Sequence, residues 1–278
     1  MIKVAYQGEP GAYSESASKA YFPGNIKLLP SETFALVFKR IQDGEADFGV
    51  IPVENSLYGS IFETYDLLLR YSHKITGELK LAINHYLMGY KKYNIADLKR
   101  IYSHPQALGQ CSEFLGSLKN TEIIPVYDTA GAARNIMNSK EEFAAAIAGK
   151  GAAGNYGLKI IKGNISNDKE NYTRFLVITS ADRKVRVEGS RLKTSICFGL
   201  KSVPGALFKA LSVFALRDIN LTKIESRPIP QKTFQYMFYI DLAGGENDEA
   251  VKNAIMHLRE FTESVRILGS YDTGRVIK

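Results

Sequence analysis

Asn171, Tyr172, Thr173 and Arg174 set four hydrogen-bonding side chains directly ahead of an apolar run, Phe175 to Ile178. The run reads as a strand buried on both faces. A guanidinium without a partner at the mouth of such a strand is costly. Arg174 therefore needs either a carboxylate from elsewhere in the chain, Glu54 or Asp128, or an anionic ligand. Thr173 offers a hydroxyl that can donate a positioned hydrogen bond. Neighbouring strand residues face opposite ways, so Thr173 and Arg174 can both meet one ligand only if one of them lies ahead of the regular ladder.

Four more polar clusters close apolar strand patterns: YQGEPGAYS (6–14), PVENS (52–56), YSHPQA (102–107) and DTAGAA (128–133). Among them Ser14, Glu54, Asn55, Ser56 and Thr129 bring donors and acceptors to strand ends, where α/β proteins bind ligands. If the chain crosses between two lobes and returns, its last strand runs antiparallel to the others. Its polar start then joins their polar ends. Motifs for other chemistries are missing. There is no G-x-x-x-x-G-K-[ST] loop, the glycines of GEPG are wrongly spaced for a dinucleotide fingerprint, and no G-x-S-x-G elbow occurs. His73, His85, His104 and His257 are scattered, with no metal-ligand spacing. These patterns point to chemistry that needs neither metal nor cofactor.

The elements that must position these residues alternate between strand and helix over 1–180. A strand covers Ile2–Gln7, and a helix runs to Phe22 with Ser14 as N-cap. Another helix runs from a Ser31 cap to Gly44, followed by a buried strand over 46–53 and a helix opened by a Ser60–Glu63 capping box. Extended segments fill 75–90. Then come a helix opened by Asn94, a strand at 100–103, a helix over 106–118, a strand over 121–127 and a helix over 128–138. The glycines of AAAIAGKGAAGNYG split it into strand then helix. The layout is α/β with mainly parallel sheets. Residues 181–193 are polar and charged and read as a linker with few contacts crossing it. Beyond them strand, helix, strand, strand, helix, strand spell a ferredoxin-like plait. There, Gly205, Ala206 and Leu207 open a helix whose N–H groups suit a carboxylate, and Glu225–Pro228 ends a strand.

The chain has 278 residues, a length that suggests about two domains, and a net charge of +7 from 36 basic and 29 acidic residues. The basic residues form no stripe, which argues against a nucleic-acid partner. No apolar run approaches the ~18 residues of a membrane span. Cys111 and Cys197 are far apart and the start, MIKVAYQG, lacks a signal-peptide pattern. A reducing cytoplasm is the expectation.

In this order the stretches AYQGEPGAYSESA, GVIPVENSLYGSI, HPQAL, DTAGAA, NYTRF, GALFKAL and IESRP, which span nearly the whole chain, resemble the prephenate dehydratases that carry a C-terminal ACT regulatory domain. The resemblance implies a two-lobed catalytic domain like a type II periplasmic binding protein over 1–180, then an ACT domain over 194–278. It implies loss of water and carbon dioxide from prephenate to give phenylpyruvate, in phenylalanine biosynthesis. It places Thr173 at the departing hydroxyl, Arg174 on a carboxylate or locking the loop, and Glu54 as an orienting or proton-holding group. Ser14, Asn55, Ser56 and Thr129 become substrate donors. L-Phenylalanine is the implied inhibitor, held by Gly205, Ala206, Leu207, Asn220, Glu225, Ser226 and Arg227 between paired ACT domains. A dimer, or a dimer of dimers, follows. Some relatives carry a chorismate mutase upstream; this chain starts at the first catalytic strand, so that activity is not expected. Arogenate is the alternative substrate. A non-catalytic amino-acid sensor is the alternative class, opposed by the Thr173–Arg174 pair.

Overall fold

The computed structural model describes residues 1–185, 189, 191–229 and 232–278. Of the expected linker, 186–188 and 190 lie outside the described residues. The chain forms two compact units. The first holds Met1–Ser60, Lys80–Phe175 and Val276–Lys278, and the second holds Ile61–Leu79 and Leu176–Arg275.

The first unit begins with β1 (Ile2–Gln7), α1 (Tyr13–Tyr21), β2 (Ile26–Ser31), α2 (Phe34–Gln42), β3 (Phe48–Asn55) and the short β4 (Gly59–Ser60). Helix α3 (Phe62–Arg70) and most of β5 (Lys74–Ala82) belong to the second unit. The first resumes with β6 (Tyr86–Gly89), β7 (Arg100–Ser103), α4 (Pro105–Gln110), α5 (Ser112–Gly116), β8 (Glu122–Pro125) and α6 (Thr129–Ser139). After these come β9 (Ala144–Ala148), α7 (Lys150–Tyr156), β10 (Lys159–Lys162) and the opening of β11 (Tyr172–Thr179).

Two sheets result, each the floor of one lobe. In one, β1 lies parallel between β2 and β3, and β11 flanks β3. Val4, Ala5, Val37, Phe38, Val50 and Ile51 are fully buried there. The other has the order β10-β6-β9-β7-β8, with β9, β7 and β8 parallel and β6 antiparallel to both of its neighbours, β9 and β10. Its core is rich in alanine: Ala130, Ala132 and Ala133 of α6 join Ala144, Ala146 and Ala148 of β9. Small side chains let helix and sheet approach closely. Gly11 serves a similar closeness, because its φ is +95° and a methyl there would lie 2.7 Å from the Ala152 Cα. Gly11→Ala is expected to destabilise by about 2–4 kcal/mol through backbone strain and overpacking, read as a lower denaturation midpoint.

Several local signals give way to tertiary pairing. Ser31 is no helix cap: it ends β2, which pairs with β1 from Ile26 to Ser31. Thr33 caps α2 instead, accepting from the Leu36 N–H at 3.1 Å. α1 starts at Tyr13 with Ala12 at the cap, so Ser14 lies inside the helix. Ser60 is taken by β4, and Ile61 precedes α3 without a side-chain cap. Asn94 opens only a single 3₁₀ turn, its amide donating to Asp97. The expected helix over 106–118 breaks at Cys111, whose ψ is 17°.

The second unit closes the chain with β12 (Leu192–Leu200), α8 (Ala206–Ala215), β13 (Leu221–Pro228), β14 (Tyr236–Ala243), α9 (Glu249–Phe261) and β15 (Thr262–Asp272); β16 (Arg275–Ile277) follows. The four-stranded antiparallel sheet has the order β13-β14-β12-β15, the predicted plait. Ile196, Phe198, Ile240 and Leu242 face α8 and α9. The opposite face receives α3. Tyr239 donates to the Tyr65 carbonyl at 2.9 Å, Arg227 grips Asp66 through two bonds of 3.1 and 2.8 Å, and Arg266 donates to the carbonyls of Leu69 and Tyr71. A buried Lys193–Glu78 pair at 2.8 Å adds to this. Contacts therefore do cross the polar break, because residues 61–79 supply one layer of the unit that follows it.

Candidate active site

β3 ends in Glu54 and Asn55, and β11 begins with Tyr172, Thr173 and Arg174. The Ser56 N–H donates to the Tyr172 carbonyl at 2.8 Å, Asn55 Nδ2 donates to Thr173 Oγ1 at 3.0 Å, and Arg174 Nη1 lies 3.9 Å from Glu54 Oε2. Partner numbers fall along β11 as they rise along β3, so the two strands are antiparallel. The returning chain thus brings its polar start to the other strands' ends, as the sequence suggested. Alternation puts Asn55 and Thr173 on one face and Glu54 and Arg174 on the other. Both Thr173 and Arg174 lie inside β11, so they do not face one ligand. Of the two carboxylates considered for Arg174, Glu54 is beside it.

Asn55 is the hub of the cluster. It is buried, and its Nδ2 also donates to Asn171 Oδ1 at 2.7 Å and reaches the Tyr172 carbonyl at 3.2 Å. Its Oδ1 accepts from the N–H groups of Leu57 and Tyr58, both at 3.1 Å. One amide therefore pins the loop after β3 to the start of β11. Because Asn55 is the donor, the Thr173 oxygen is the acceptor and its own proton is available to a second acceptor. Donation into that oxygen also polarises its O–H bond. Ser56 closes the same seam, accepting from the Tyr172 N–H at 2.9 Å and donating to the Glu170 carbonyl at 3.3 Å.

The remaining sequence-identified residues sit on helix starts. Ser14 is buried in the first turn of α1. There Glu15 accepts from the Gly11 N–H and from Asn155 Nδ2, fixing the turn. Thr129 begins α6, whose cap is Asp128, bonded to the Gly131 N–H at 2.8 Å. Two cavities adjoin these elements. One, of about 350 Å³, opens among Gln7, Glu9, Glu32, Asp128 and Arg134, with Arg134 and Glu9 paired at 2.7 Å. Three carboxylates against one guanidinium make its lining acidic. The other, of about 230 Å³, is lined by Tyr58, Gln110, Asn167 and Asn171, and so adjoins the Asn55 hub. Among the described residues, no three His, Cys, Asp or Glu side chains gather to hold a metal.

Sequence reasoning missed the support behind the second cavity. Buried His85 meets Tyr13 Oη at 2.9 Å through Nδ1 and Gln110 Oε1 at 2.5 Å through Nε2. Gln110 Oε1 accepts from Nε2–H, and the single Tyr13 hydroxyl proton is shared between His85 Nδ1 and the Asn84 carbonyl, 2.8 Å away. Burial pulls the His85 pKa below its ordinary 6.5, against a smaller upward pull from the Gln110 bond. The unfolded chain therefore binds the extra proton first as pH falls. The stability from neutral His85 is present above pH 6.5 and is lost as pH drops through the lowered value. Below pH 6.5 the wild-type melting temperature is expected to fall more steeply than that of His85→Gln.

In the second unit, Gly205 caps α8 with φ +75°, and the Ala206 N–H already bonds the Val203 carbonyl at 3.2 Å. Leu207 and Asn220 are exposed. β13 is an edge strand on which Ser226 pairs with Phe238, on the face of α8. Glu225 and Arg227 point to the other face, where Glu225 lies 3.7 Å from Lys223 and Arg227 holds Asp66 and covers the Phe62 ring at 4.4 Å. Alternation thus puts Ser226 on the α8 face of the sheet and Glu225 and Arg227 on the opposite face of the same chain.

Residues 4–183 match the family model described as prephenate dehydratase, and residues 194–259 match the ACT domain. The chain is 47% identical over 281 residues to arogenate dehydratase/prephenate dehydratase 2, chloroplastic, of Arabidopsis thaliana, covering 97% of this chain and 72% of the relative. A prephenate dehydratase from Arthrobacter aurescens, solved in complex with L-Phe, superposes with a TM-score of 0.88 at 29% identity over 98% of this chain and 90% of that one. A structure described as GqqA, a novel type of quorum quenching acylase, gives a TM-score of 0.90 at 31% identity over 98% of each chain. With one family model spanning most of the chain and the second its C-terminal plait, the chain belongs to the prephenate dehydratase family and carries an ACT domain.

Proposed function

We propose that the protein converts prephenate to phenylpyruvate and that Thr173 donates to the departing hydroxyl. In this reaction the ring-to-carboxylate C–C bond breaks and carbon dioxide leaves. The freed electron pair enters the ring, the C–O bond to the hydroxyl breaks, and the hydroxide takes one proton to depart as water. Aromatisation drives these steps, so the chain's task is to bind a dianion, place a donor and exclude water. The observation that carries the reading is the Asn55 amide donating to Thr173 Oγ1 at 3.0 Å, which leaves the threonine proton free to donate to a second acceptor. Arg174 and Glu54 on the opposite face brace the β3–β11 register. Ser14, Thr129 and the N-termini of α1 and α6 supply donors toward the carboxylates, with Asn55 and Ser56 shaping the wall between them. Phenylpyruvate released from prephenate, read by its absorbance in alkali, tests this.

A second reading has its own support. The acidic lining of the larger cavity, with Glu9, Glu32 and Asp128, suits the ammonium of arogenate better than the keto group of prephenate. Competing kcat/KM values on the two substrates decide between them, and arogenate is favoured if Glu9→Gln lowers its kcat/KM alone.

For regulation, residues 1–180 form the catalytic domain and 194–278 the ACT domain, boundaries that the two family models support. L-Phenylalanine binds at Gly205, Ala206, Leu207, Asn220 and Ser226, with Glu225 and Arg227 closing the site across the interface, where two copies pair along the edge strand β13, giving a dimer or a dimer of dimers. Sedimentation with and without L-phenylalanine tests this, since a two-chain site must tighten association on binding. The buried thiols Cys111 and Cys197 fit a reducing compartment such as the cytoplasm.

A further inference from the structure

Asn171 is 1% exposed, and its Oδ1 is held by Asn55 Nδ2 at 2.7 Å. Its own Nδ2 has no acceptor among the described residues. An amide donor buried without a partner costs about 1–3 kcal/mol. That cost is avoided when a ligand supplies the acceptor. Asn171 also lines the 230 Å³ cavity, together with Tyr58, Gln110 and Asn167. The amide cannot flip to relieve itself, because the flip would set Nδ2 against the Asn55 N–H donor that now meets Oδ1. Asn55 holds Asn171 Oδ1 at 2.7 Å and Thr173 Oγ1 at 3.0 Å through the same nitrogen. Asn171 immediately precedes β11, and the shared Asn55 donor sets its amide beside Thr173. The orphan donor is therefore held beside the threonine hydroxyl, on a residue that lines the cavity.

We propose that Asn171 Nδ2 is a substrate-binding donor, and that the cavity it lines receives an oxygen acceptor of the substrate, a carboxylate or the departing hydroxyl. The inference deepens the proposed dehydratase reading and rests on it. Glu170 and Asp168 do not compete for this donor. Asp168 Oδ1 is bonded to the Glu170 N–H at 2.7 Å, and both residues are exposed.

The test compares steady-state kinetics on prephenate for the wild type and Asn171→Asp. The aspartate keeps an acceptor for Asn55 and removes the donor. Its kcat/KM is expected to fall about ten- to hundredfold, the range for a hydrogen bond to a charged group. A loss carried by KM assigns the oxygen to a carboxylate, and a loss carried by kcat assigns it to the departing hydroxyl; either supports the proposal. If Asn171→Asp does not fold, Asn171→Thr and Asn171→Val take its place, being nearly isosteric and differing in one hydroxyl. Threonine is then expected to be at least several-fold more active than valine. A folded Asn171→Asp with wild-type kcat/KM, or equal activity in Thr and Val, overturns the inference alone. A wild type inactive on both prephenate and arogenate overturns the reading beneath it, and the inference with it.

Discussion

Thr173→Ala is expected to lower kcat on prephenate by on the order of 10²–10³, equivalent to about 2.7–4 kcal/mol, the loss typical of a donor that acts in the transition state. The hydroxyl is a weak acid, so its proton moves late, when the C–O bond is largely broken and the departing oxygen is most basic. The ground-state hydroxyl of the substrate gains little from the contact, so KM is expected to change much less than kcat. Thr173→Ser keeps a hydroxyl within reach of Asn55 Nδ2 and should recover much of the loss. Full activity in Thr173→Ala would remove this side chain from the chemistry.

The second large effect is at Asn55. Asn55→Ala strips partners from Asn171, Tyr172, Thr173, Leu57 and Tyr58 at once. Buried polar groups left unpaired cost about 1–3 kcal/mol each when water does not reach them. Some will be rehydrated in the loop, so a net destabilisation of about 3–4 kcal/mol is expected by denaturant titration. Asn55→Asp separates stability from chemistry. Its carboxylate can still accept from the Leu57 and Tyr58 N–H groups. The Thr173 O–H, however, would now donate to the introduced carboxylate rather than to substrate. Asn55→Asp should therefore be more stable than Asn55→Ala and yet lose kcat about as severely as Thr173→Ala. If Asn55→Asp turns over at the wild-type rate, the orientation of the threonine proton does not matter.

Much of this site was legible before any coordinates. Polar residues leading the apolar run 175–178 made sense only if β11 ran against its neighbours, and the pairing of 54, 55 and 56 with 174, 173 and 172 shows that it does. The plait could be read element by element because each piece carries its own period and its own turn. What stayed hidden depends on distant partners. Nothing near residue 66 announces that its carboxylate meets Arg227, 161 positions on, and that bond helps commit α3 to the C-terminal sheet. β2 was masked because its last residue, Ser31, imitates a helix cap. Gln110 and His85 gave no local signal, since their link is spatial. Two further features lie in the sequence itself. Asn171 lies only two residues before Thr173 in the same polar run, within reach of the same Asn55 amide. The alternation within Glu225–Arg227 separates Ser226 from its neighbours.

The central claim is that the chain expels water and carbon dioxide from prephenate. It is tested most directly by incubating the purified full-length protein with prephenate near neutral pH while measuring phenylpyruvate and carbon dioxide together. Equimolar release of both, slowed on the order of 10²–10³-fold by Thr173→Ala and inhibited by L-phenylalanine, is the predicted result. Prephenate recovered unchanged, by a protein that is folded and binds L-phenylalanine, would contradict it.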